Sequence, residues 1–115
     1  MADKAATTEE AEQIARTESL FRDVNERIAE TAQRFDSDVT EFVCECADPS
    51  CTERVDATLD RYERVRADGA TFLLAPGHED ERVEGVVETD GELAVVEKRH
   101  PLVEPLVRAL DPRPV

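Results

Sequence analysis

CECADPSC, at residues 44–51, contains all three cysteines of the 115-residue chain. Thiolates this close together are suitable ligands for a soft cation such as zinc. Cys44 and Cys46 lie two residues apart at the end of a predicted strand, so their side chains leave the same face. The four residues that follow are enough to turn the chain back, which brings Cys51 to the same point. The stretch therefore predicts a hairpin closed by a metal, a zinc knuckle at one end of a sheet.

Three thiolates need one further ligand to complete a tetrahedral site, and the chain offers two histidines. His78 follows Pro76-Gly77, a turn that can place an imidazole beside the cysteines without straining a strand. His100 comes after the last predicted strand, directly before a proline. We predict that Cys44, Cys46, Cys51 and His78 bind Zn²⁺, with His100 as the alternative fourth ligand. Four protein ligands leave no position for water, so the predicted site is structural.

A redox interpretation competes with the metal site. Cys44 and Cys46 can form a reversible disulfide, with Cys51 as the resolving thiol of a redox or metal-responsive sensor. The neighbouring carboxylates of Glu45 and Asp48 oppose this interpretation, because nearby negative charge raises the pKa of a thiol and lowers its reactivity. A bound cation removes that objection, so the sequence favours the metal site.

An enzyme with an open zinc site is the third interpretation. If His78 does not bind, Glu79 is the candidate base for an activated water. The adjacent His-Glu pair lacks the His-x-Glu spacing of the zinc deaminases. Nucleophile-elbow, P-loop and dinucleotide-binding motifs are missing from the sequence. These features favour a protein that is not an enzyme.

The composition limits the partners and the compartment. The formal net charge is −14, from 28 acidic and 14 basic residues, and no basic patch is present. We therefore expect neither nucleic acid nor a membrane as partner, and we expect another protein, with a basic surface. Residues 1–19 are too polar for a signal peptide, which predicts a bacterial-type cytoplasm. The acidity itself fits either a GC-rich coding sequence or a halophile-type surface.

The N-terminal half predicts one long helix. Thr7 and Glu10 form a capping box, which predicts a helix that runs to about Phe35 after a disordered segment at 1–6. Its apolar residues form one stripe that we expect to pack on the sheet, with a homodimer through this helix as the alternative. That stripe contains Ile14, Leu20, Phe21, Val24, Ile28, Ala32 and Phe35. The polar residues Arg22, Asn25, Glu26 and Arg27 are expected to face solvent.

The remainder predicts short strands and one short helix. Strands are expected at 40–45 and 53–57, followed by a helix capped by Thr58; one continuous helix over 52–68 is the alternative. A buried strand at 71–75 and a hairpin over 82–98 around Asp90-Gly91 follow. The fold class is α+β, with the long helix on a small, mainly antiparallel sheet. We assign residues 7–99 to a single domain and 100–115 to a proline-rich tail with a short amphipathic turn.

Five segments together resemble a family of small, functionally uncharacterised bacterial proteins that is frequent in actinobacteria. The segments are FRDVNERI at 21–28, FVCEC at 42–46 with Cys51, YERVR at 62–66, PGHE at 76–79 and VVEK at 95–98. The resemblance spans about residues 20–98. It implies a shared small domain with a cysteine cluster and a Pro-Gly-His turn, and it favours His78 over His100. It implies no activity.

These observations predict a small, non-enzymatic cytoplasmic domain that is stabilised by zinc and binds another protein. An adaptor or regulatory role follows from the lack of catalytic motifs.

Overall fold

A computed structural model describes residues 7–35 and 38–113 of the chain. The α+β class is confirmed, with the long N-terminal helix, two further helices and two small antiparallel sheets. The predicted disordered segment at 1–6 lies outside the described residues. In chain order the elements are α1 (Thr8–Phe35), β1 (Thr40–Val43), β2 (Arg54–Ala57), α2 (Leu59–Arg66), β3 (Thr71–Leu74), β4 (Glu84–Asp90), β5 (Leu93–Lys98) and α3 (Val103–Ala109).

The start of α1 has the predicted capping box. The Thr7 N–H donates to Glu10 Oε1 at 2.9 Å, and the Glu10 N–H donates to Thr7 Oγ1 at 3.1 Å. This reciprocal pair satisfies amides that have no partner within the first helical turn. The local sequence therefore fixes where the helix begins.

The buried face of α1 differs from the predicted apolar stripe. Ile14 and Ala32 are buried, but Leu20 is 62% exposed, Val24 39% and Phe35 76%. The prediction that the whole stripe packs on the sheet is wrong, because the packed side of α1 is rotated from the stripe and also includes polar residues such as Arg22 and Asn25. None of the three helices in the described ranges is long and apolar enough to cross a membrane.

Arg22 and Asn25, which were predicted to face solvent, are completely buried. The Arg22 guanidinium lies 3.7 Å above the Phe72 ring and donates to the Gly69 carbonyl at 2.7 Å. Asn25 exchanges two hydrogen bonds with the backbone of Val43, at 2.8 and 2.9 Å. These partners satisfy Asn25 and one nitrogen of Arg22, whereas Nε and Nη1 of Arg22 have no hydrogen-bond partner among the described residues. Buried polar residues therefore share the packed side of α1 with apolar ones, namely Ala11, Ile14, Ala15, Ala29 and Ala32.

Two separate sheets replace the single predicted sheet. β1 pairs with β2, and the other three strands have the order β3-β5-β4, all antiparallel. The predicted hairpin of β4 and β5 is confirmed, but its turn residues are Gly91 and Glu92, one position later than expected. Gly91 has φ +57°, a conformation that glycine adopts readily, and the flanking Asp90 pairs with Leu93.

The strand-then-helix interpretation of residues 53–66 is confirmed. Thr58 is the N-cap of α2, and its side chain accepts from the Arg61 N–H at 3.1 Å. Tyr62 stacks on Phe42 of β1, with ring centroids 4.5 Å apart, and its hydroxyl donates to Glu26 at 2.5 Å. α2 is thereby joined to both β1 and α1.

The C-terminal segment packs against α1. Val103 and Val107 of α3 are fully buried, whereas Leu102 and Leu110 remain 41% and 44% exposed. The predicted amphipathic turn corresponds to α3, and Val103 and Val107 form its buried side. Beyond α3, the Asp111 carboxylate pairs with the buried guanidinium of Arg66, which ties the end of the chain to α2.

Candidate metal centre

Two loops from different sheets supply the four predicted ligands. Cys44, Cys46 and Cys51 lie in the connection between β1 and β2, and His78 lies in the turn after β3. A hydrogen bond from the Glu45 N–H to the Leu73 carbonyl, at 2.8 Å, joins the first loop to β3. The arrangement therefore depends on contact between the two sheets.

The turn after β3 presents the imidazole to the cysteines. The His78 N–H donates to the Ala75 carbonyl at 3.2 Å, which closes the turn. Gly77 has φ +87°, where a side chain would be strained, so glycine is required at this position. The Pro76-Gly77 turn thus places His78 beside the cysteines.

The ligand atoms of Cys44, Cys46, Cys51 and His78 all lie within 4.8 Å of one another. Cys51 Sγ is 3.5 Å from His78 Nδ1. In a tetrahedral zinc site with Zn–S bonds of about 2.3 Å, the sulfur atoms are roughly 3.8 Å apart. The four side chains are therefore close enough to hold one metal ion after small adjustments.

The centre is closed on its inner side. Cys44 and Cys46 are 2% and 1% exposed, whereas Cys51 and His78 are half-buried and reach the surface. Three thiolates and an imidazole suit zinc, and four protein donors complete its usual coordination in structural sites. The donor set fits a stabilising role.

Electrostatics favours a metal-binding form of the cluster. A hydrogen bond from the Cys44 thiol, with others from His78 and Cys51, lowers the pKa of Cys46 to about 5. The same contact with Cys46, together with burial, raises the pKa of Cys44. Burial also raises the pKa of Cys51. At neutral pH the cluster therefore contains at least one thiolate, the form of cysteine that binds metals.

A backbone amide supports the cluster from the β3 side. The Ala75 N–H donates to Cys44 Sγ at 3.2 Å. Such a bond orients a thiolate ligand and compensates part of its charge. The buried sulfur of Cys44 is therefore held by the same segment that presents His78.

Glu45 and Asn25 orient the loop from the interior, and the sequence did not identify either role. The fully buried carboxylate of Glu45 accepts from Asn25 Nδ2 at 2.7 Å and from the Leu73 N–H at 2.9 Å. Burial raises the pKa of Glu45. Alternation along an extended chain indicates that residue 45 faces away from its two cysteine neighbours. No sequence signal indicated that Asn25 meets it.

His100, the alternative fourth ligand, has a different environment. Its Nδ1 accepts from the Leu102 N–H at 3.1 Å, and its carbonyl accepts from the Glu104 N–H at the start of α3. Within residues 7–35 and 38–113, the group of Cys44, Cys46, Cys51 and His78 is the one set of three or more metal-ligating side chains that lie close enough to share an ion. The structure thus brings His78, and not His100, to the cysteines.

A groove of about 660 Å³ adjoins the centre on its acidic side. Its lining includes His78, Glu79, Asp80 and Arg82. Arg82 pairs with the carboxylate of Asp80 at 2.8 Å and with Glu10 of α1 at 3.1 Å. These acidic groups are solvated or paired and lie outside the metal-ligand cluster.

No protein-family model matches the chain, and no curated protein and no solved structure matches it.

Proposed function

We propose that this chain is a small cytoplasmic module that binds one structural Zn²⁺ through Cys44, Cys46, Cys51 and His78 and that acts by binding another protein. The main observation that supports the zinc proposal is that three sulfur atoms and one imidazole nitrogen lie within 4.8 Å of one another. Soft sulfur and nitrogen donors in a compact, four-donor arrangement favour zinc over magnesium or calcium, which prefer oxygen ligands.

A metal at this position would stabilise the molecule through its topology. It would join the β1–β2 connection to the turn after β3, so that both sheets share one cross-link. Residues 44 and 78 are far apart in sequence, and an ion that binds only when both loops are in place adds its binding free energy to that of folding. The proposed zinc therefore contributes to folding, while binding of a protein partner uses another surface.

The zinc proposal predicts one zinc per chain and loss of folded structure on chelation. Metal content of purified protein is measured by mass spectrometry, and unfolding is followed by circular dichroism with and without a strong chelator. His78→Ala should lower zinc content and the melting temperature, whereas the matched control His100→Ala should retain zinc. Metal-free protein that unfolds cooperatively at an unchanged temperature would refute the zinc proposal.

A thiol switch is the second candidate, favoured by the half-exposed position of Cys51 beside two buried sulfurs. In that reaction two thiols lose two protons and two electrons to hydrogen peroxide, which gives one disulfide and two waters. Thiol counts after peroxide treatment separate the candidates. A switch retains its disulfide chemistry in His78→Ala, whereas the structural site loses zinc and stability in that variant.

A further inference from the structure

The proposed metal centre has an inner half and an outer half. Cys44 and Cys46 are 2% and 1% exposed, whereas Cys51 and His78 are half-buried and reach the surface. His78 also lines two surface grooves, of about 660 Å³ and 430 Å³, so solvent reaches the centre from this side. The sulfur of Cys51 is therefore the most accessible of the three, and access is one of the conditions that make a cysteine reactive.

The inner half is fixed to the interior of the protein. Glu45 lies between the two inner cysteines; its N–H donates to the Leu73 carbonyl at 2.8 Å, and its carboxylate accepts from the Leu73 N–H at 2.9 Å. Along an extended chain that rises about 3.3 Å per residue, the Cβ atoms of Cys44 and Cys46 are roughly 6–7 Å apart. A disulfide needs its Cβ atoms about 3.8 Å apart. The anchored segment therefore disfavours the Cys44–Cys46 disulfide of the redox interpretation.

The register of β1 and β2 indicates which two sulfurs can be joined. The Cys44 N–H extends this antiparallel ladder in register, by a hydrogen bond to the Glu53 carbonyl at 3.1 Å. Two positions further along, the same register places Cys46 opposite Cys51. Residues directly opposite each other in an antiparallel pair have Cβ atoms about 4.5–5.5 Å apart, which a small shift of the chain reduces to the distance of a disulfide. Cys46 is therefore the partner thiol for Cys51.

The loop that carries Cys51 can make this shift, because short-range contacts hold it. The Asp48 carbonyl accepts from the Cys51 N–H at 3.0 Å, which closes a turn. Among the described residues, those at 47–52 form hydrogen bonds only within the segment 44–53 and, through Cys51 Sγ, with His78. Movement of the loop therefore breaks no hydrogen bond to β3, to α1 or to the three-stranded sheet.

We propose that the zinc centre is a site of oxidation, at which hydrogen peroxide converts Cys51 and Cys46 to a disulfide and thereby releases the metal. This inference rests on the proposed function, because it assigns a mode of regulation to the same zinc centre. Zinc binding and thiol oxidation are then two states of one site: a reduced state with the metal bound, and an oxidised state without it. A change of this kind at a local site is a common form of redox switch.

The reaction balances in two steps. Coordination keeps the cysteines as thiolates. The Cys51 thiolate attacks one oxygen of the peroxide, the O–O bond breaks, and the products are a sulfenic acid and hydroxide. The Cys46 thiolate then attacks the oxidised sulfur, forms the S–S bond and expels a second hydroxide. Each hydroxide takes a proton from solvent, so two thiolates lose two electrons and the peroxide becomes two waters. Only Cys44 and His78 remain as protein ligands, fewer than stable zinc sites have.

Two measurements on full-length, zinc-loaded protein test the inference. A chromogenic chelator follows the release of zinc by hydrogen peroxide, and we expect complete release that a phosphine reductant reverses when zinc is supplied again. Disulfide mapping then identifies the pair, because cleavage after Glu45 by Glu-C and before Asp48 by Asp-N separates the three cysteines. We expect Cys46 linked to Cys51 and a free thiol at Cys44. Zinc that stays bound in excess peroxide, or a Cys44–Cys46 disulfide, would overturn the inference.

Cys44→Ser and Cys51→Ser are a matched pair of variants, since each removes one proposed zinc ligand and leaves two thiols. Peroxide should form a disulfide in Cys44→Ser, where Cys46 and Cys51 remain, and should form one at least about tenfold more slowly in Cys51→Ser. This comparison holds whether or not the variants retain zinc. Equal rates in the two variants would refute the assigned pair. Thr52→Ala changes an exposed neighbour of Cys51 and should release zinc as the parent protein does.

A third variant tests the order of the two steps. Cys46→Ser lacks the resolving thiol, so a sulfenic acid should accumulate on Cys51, where dimedone labels it. Label on Cys44 in its place would contradict the assigned order.

Zinc content before oxidation separates this inference from the proposed function. Protein that contains no zinc when purified under reducing conditions would refute the proposed metal centre. Zinc-loaded protein that peroxide leaves unchanged would refute the oxidation site alone and would leave the structural zinc in place.

Discussion

Glu45 lies between two of the proposed ligands, yet its carboxylate contacts Asn25 and Leu73 in the interior. A buried carboxylate is costly unless hydrogen bonds and opposite charge compensate for lost hydration. Here two donors bind its two oxygens, and the positive charge of Arg22 opposes the effect of burial on its pKa. Glu45 is therefore a positioning residue that fixes the backbone between Cys44 and Cys46.

Replacing this carboxylate should destabilise the protein and weaken the metal site. Glu45→Ala leaves the Leu73 N–H and the Asn25 amide without their acceptor, so we expect the free energy of unfolding to fall by about 2–4 kcal/mol. Zinc affinity should fall about tenfold or more, because the peptide between the ligands is no longer held. Urea denaturation and competition with a chromogenic chelator measure the two effects.

Glu41→Ala provides the matched control, since Glu41 is exposed on β1. We expect its free energy of unfolding to stay within about 0.5 kcal/mol of the parent protein. Equal losses in the two variants would show that the partners of Glu45 contribute nothing specific.

At the scale of the element, α1 shows how a helix can be predicted correctly while its buried side is not. Thr7 and Glu10 define its start by local hydrogen bonds, which depend only on neighbouring residues. Which side is buried depends on partners far away in sequence, such as Phe72 and Gly69, which contact Arg22. Apolar spacing alone therefore selected a stripe of seven residues of which the structure leaves three, Leu20, Val24 and Phe35, exposed.

Arg22 should be essential for this packing. Arg22→Ala removes the contact with Phe72, the hydrogen bond to the Gly69 carbonyl and the ion pair at 3.5 Å with the Asp111 carboxylate. Since removal of one partner from a buried charge pair is strongly destabilising, we expect a loss of about 3–5 kcal/mol in the free energy of unfolding. Arg22→Met, which keeps apolar contact with the ring, should lose less. Urea denaturation of both variants measures the difference.

The comparison for Arg22 is Arg16→Ala, which removes an exposed arginine from the same helix. Its effect should be within about 0.5 kcal/mol. A small effect of Arg22→Ala, comparable to that of Arg16→Ala, would mean that apolar contacts alone hold α1 in place.

The same distinction between local and distant information applies to the candidate metal centre. Three cysteines within eight residues and the Pro-Gly turn before His78 predicted the four side chains that the structure brings together, because their spacing is itself the signal. The division into two sheets was not predictable, since it depends on how β3 pairs with β5 across a long intervening segment. The contact of Asn25 with Glu45 was missed for the same reason, because these residues are distant in sequence and both are ordinary surface residue types.

At the scale of the whole molecule, one buried ion cluster joins three elements. Glu18 of α1 and Lys98 of β5 are 0% and 2% exposed, with the Lys98 Nζ 2.6 Å from a Glu18 oxygen. The same ammonium contacts Glu84 of β4, and it lies 4.8 Å from the centroid of the Phe72 ring. Two carboxylates share one cation, so full ionisation of both is unfavourable. Burial raises the pKa of Glu18 to about 7 and lowers that of Lys98.

This cluster should make stability fall as the pH rises through the weakly acidic range. In the unfolded chain Glu18 titrates near its ordinary pKa of 4.5, so between pH 4.5 and about 7 the folded protein retains a proton that the unfolded chain has released. The stabilising contribution is complete below pH 4.5, decreases as the pH rises and is lost above the folded pKa. The total change is about 3 kcal/mol.

Glu18→Gln has no group that titrates at this position. The difference in stability between the parent protein and Glu18→Gln therefore isolates the contribution of Glu18, because both proteins share the pH dependence of the cysteine ligands. The free energy of unfolding is measured by urea denaturation at several pH values between 5 and 8, with zinc content checked at each. The parent protein's stability relative to Glu18→Gln should decrease with rising pH and become constant near neutrality. A relative stability that is flat or that increases would show that Glu18 is ionised in the folded state over this whole range. The pair with Lys98 would then outweigh burial, and the three elements would be joined by a permanent ion pair instead of a protonated carboxyl.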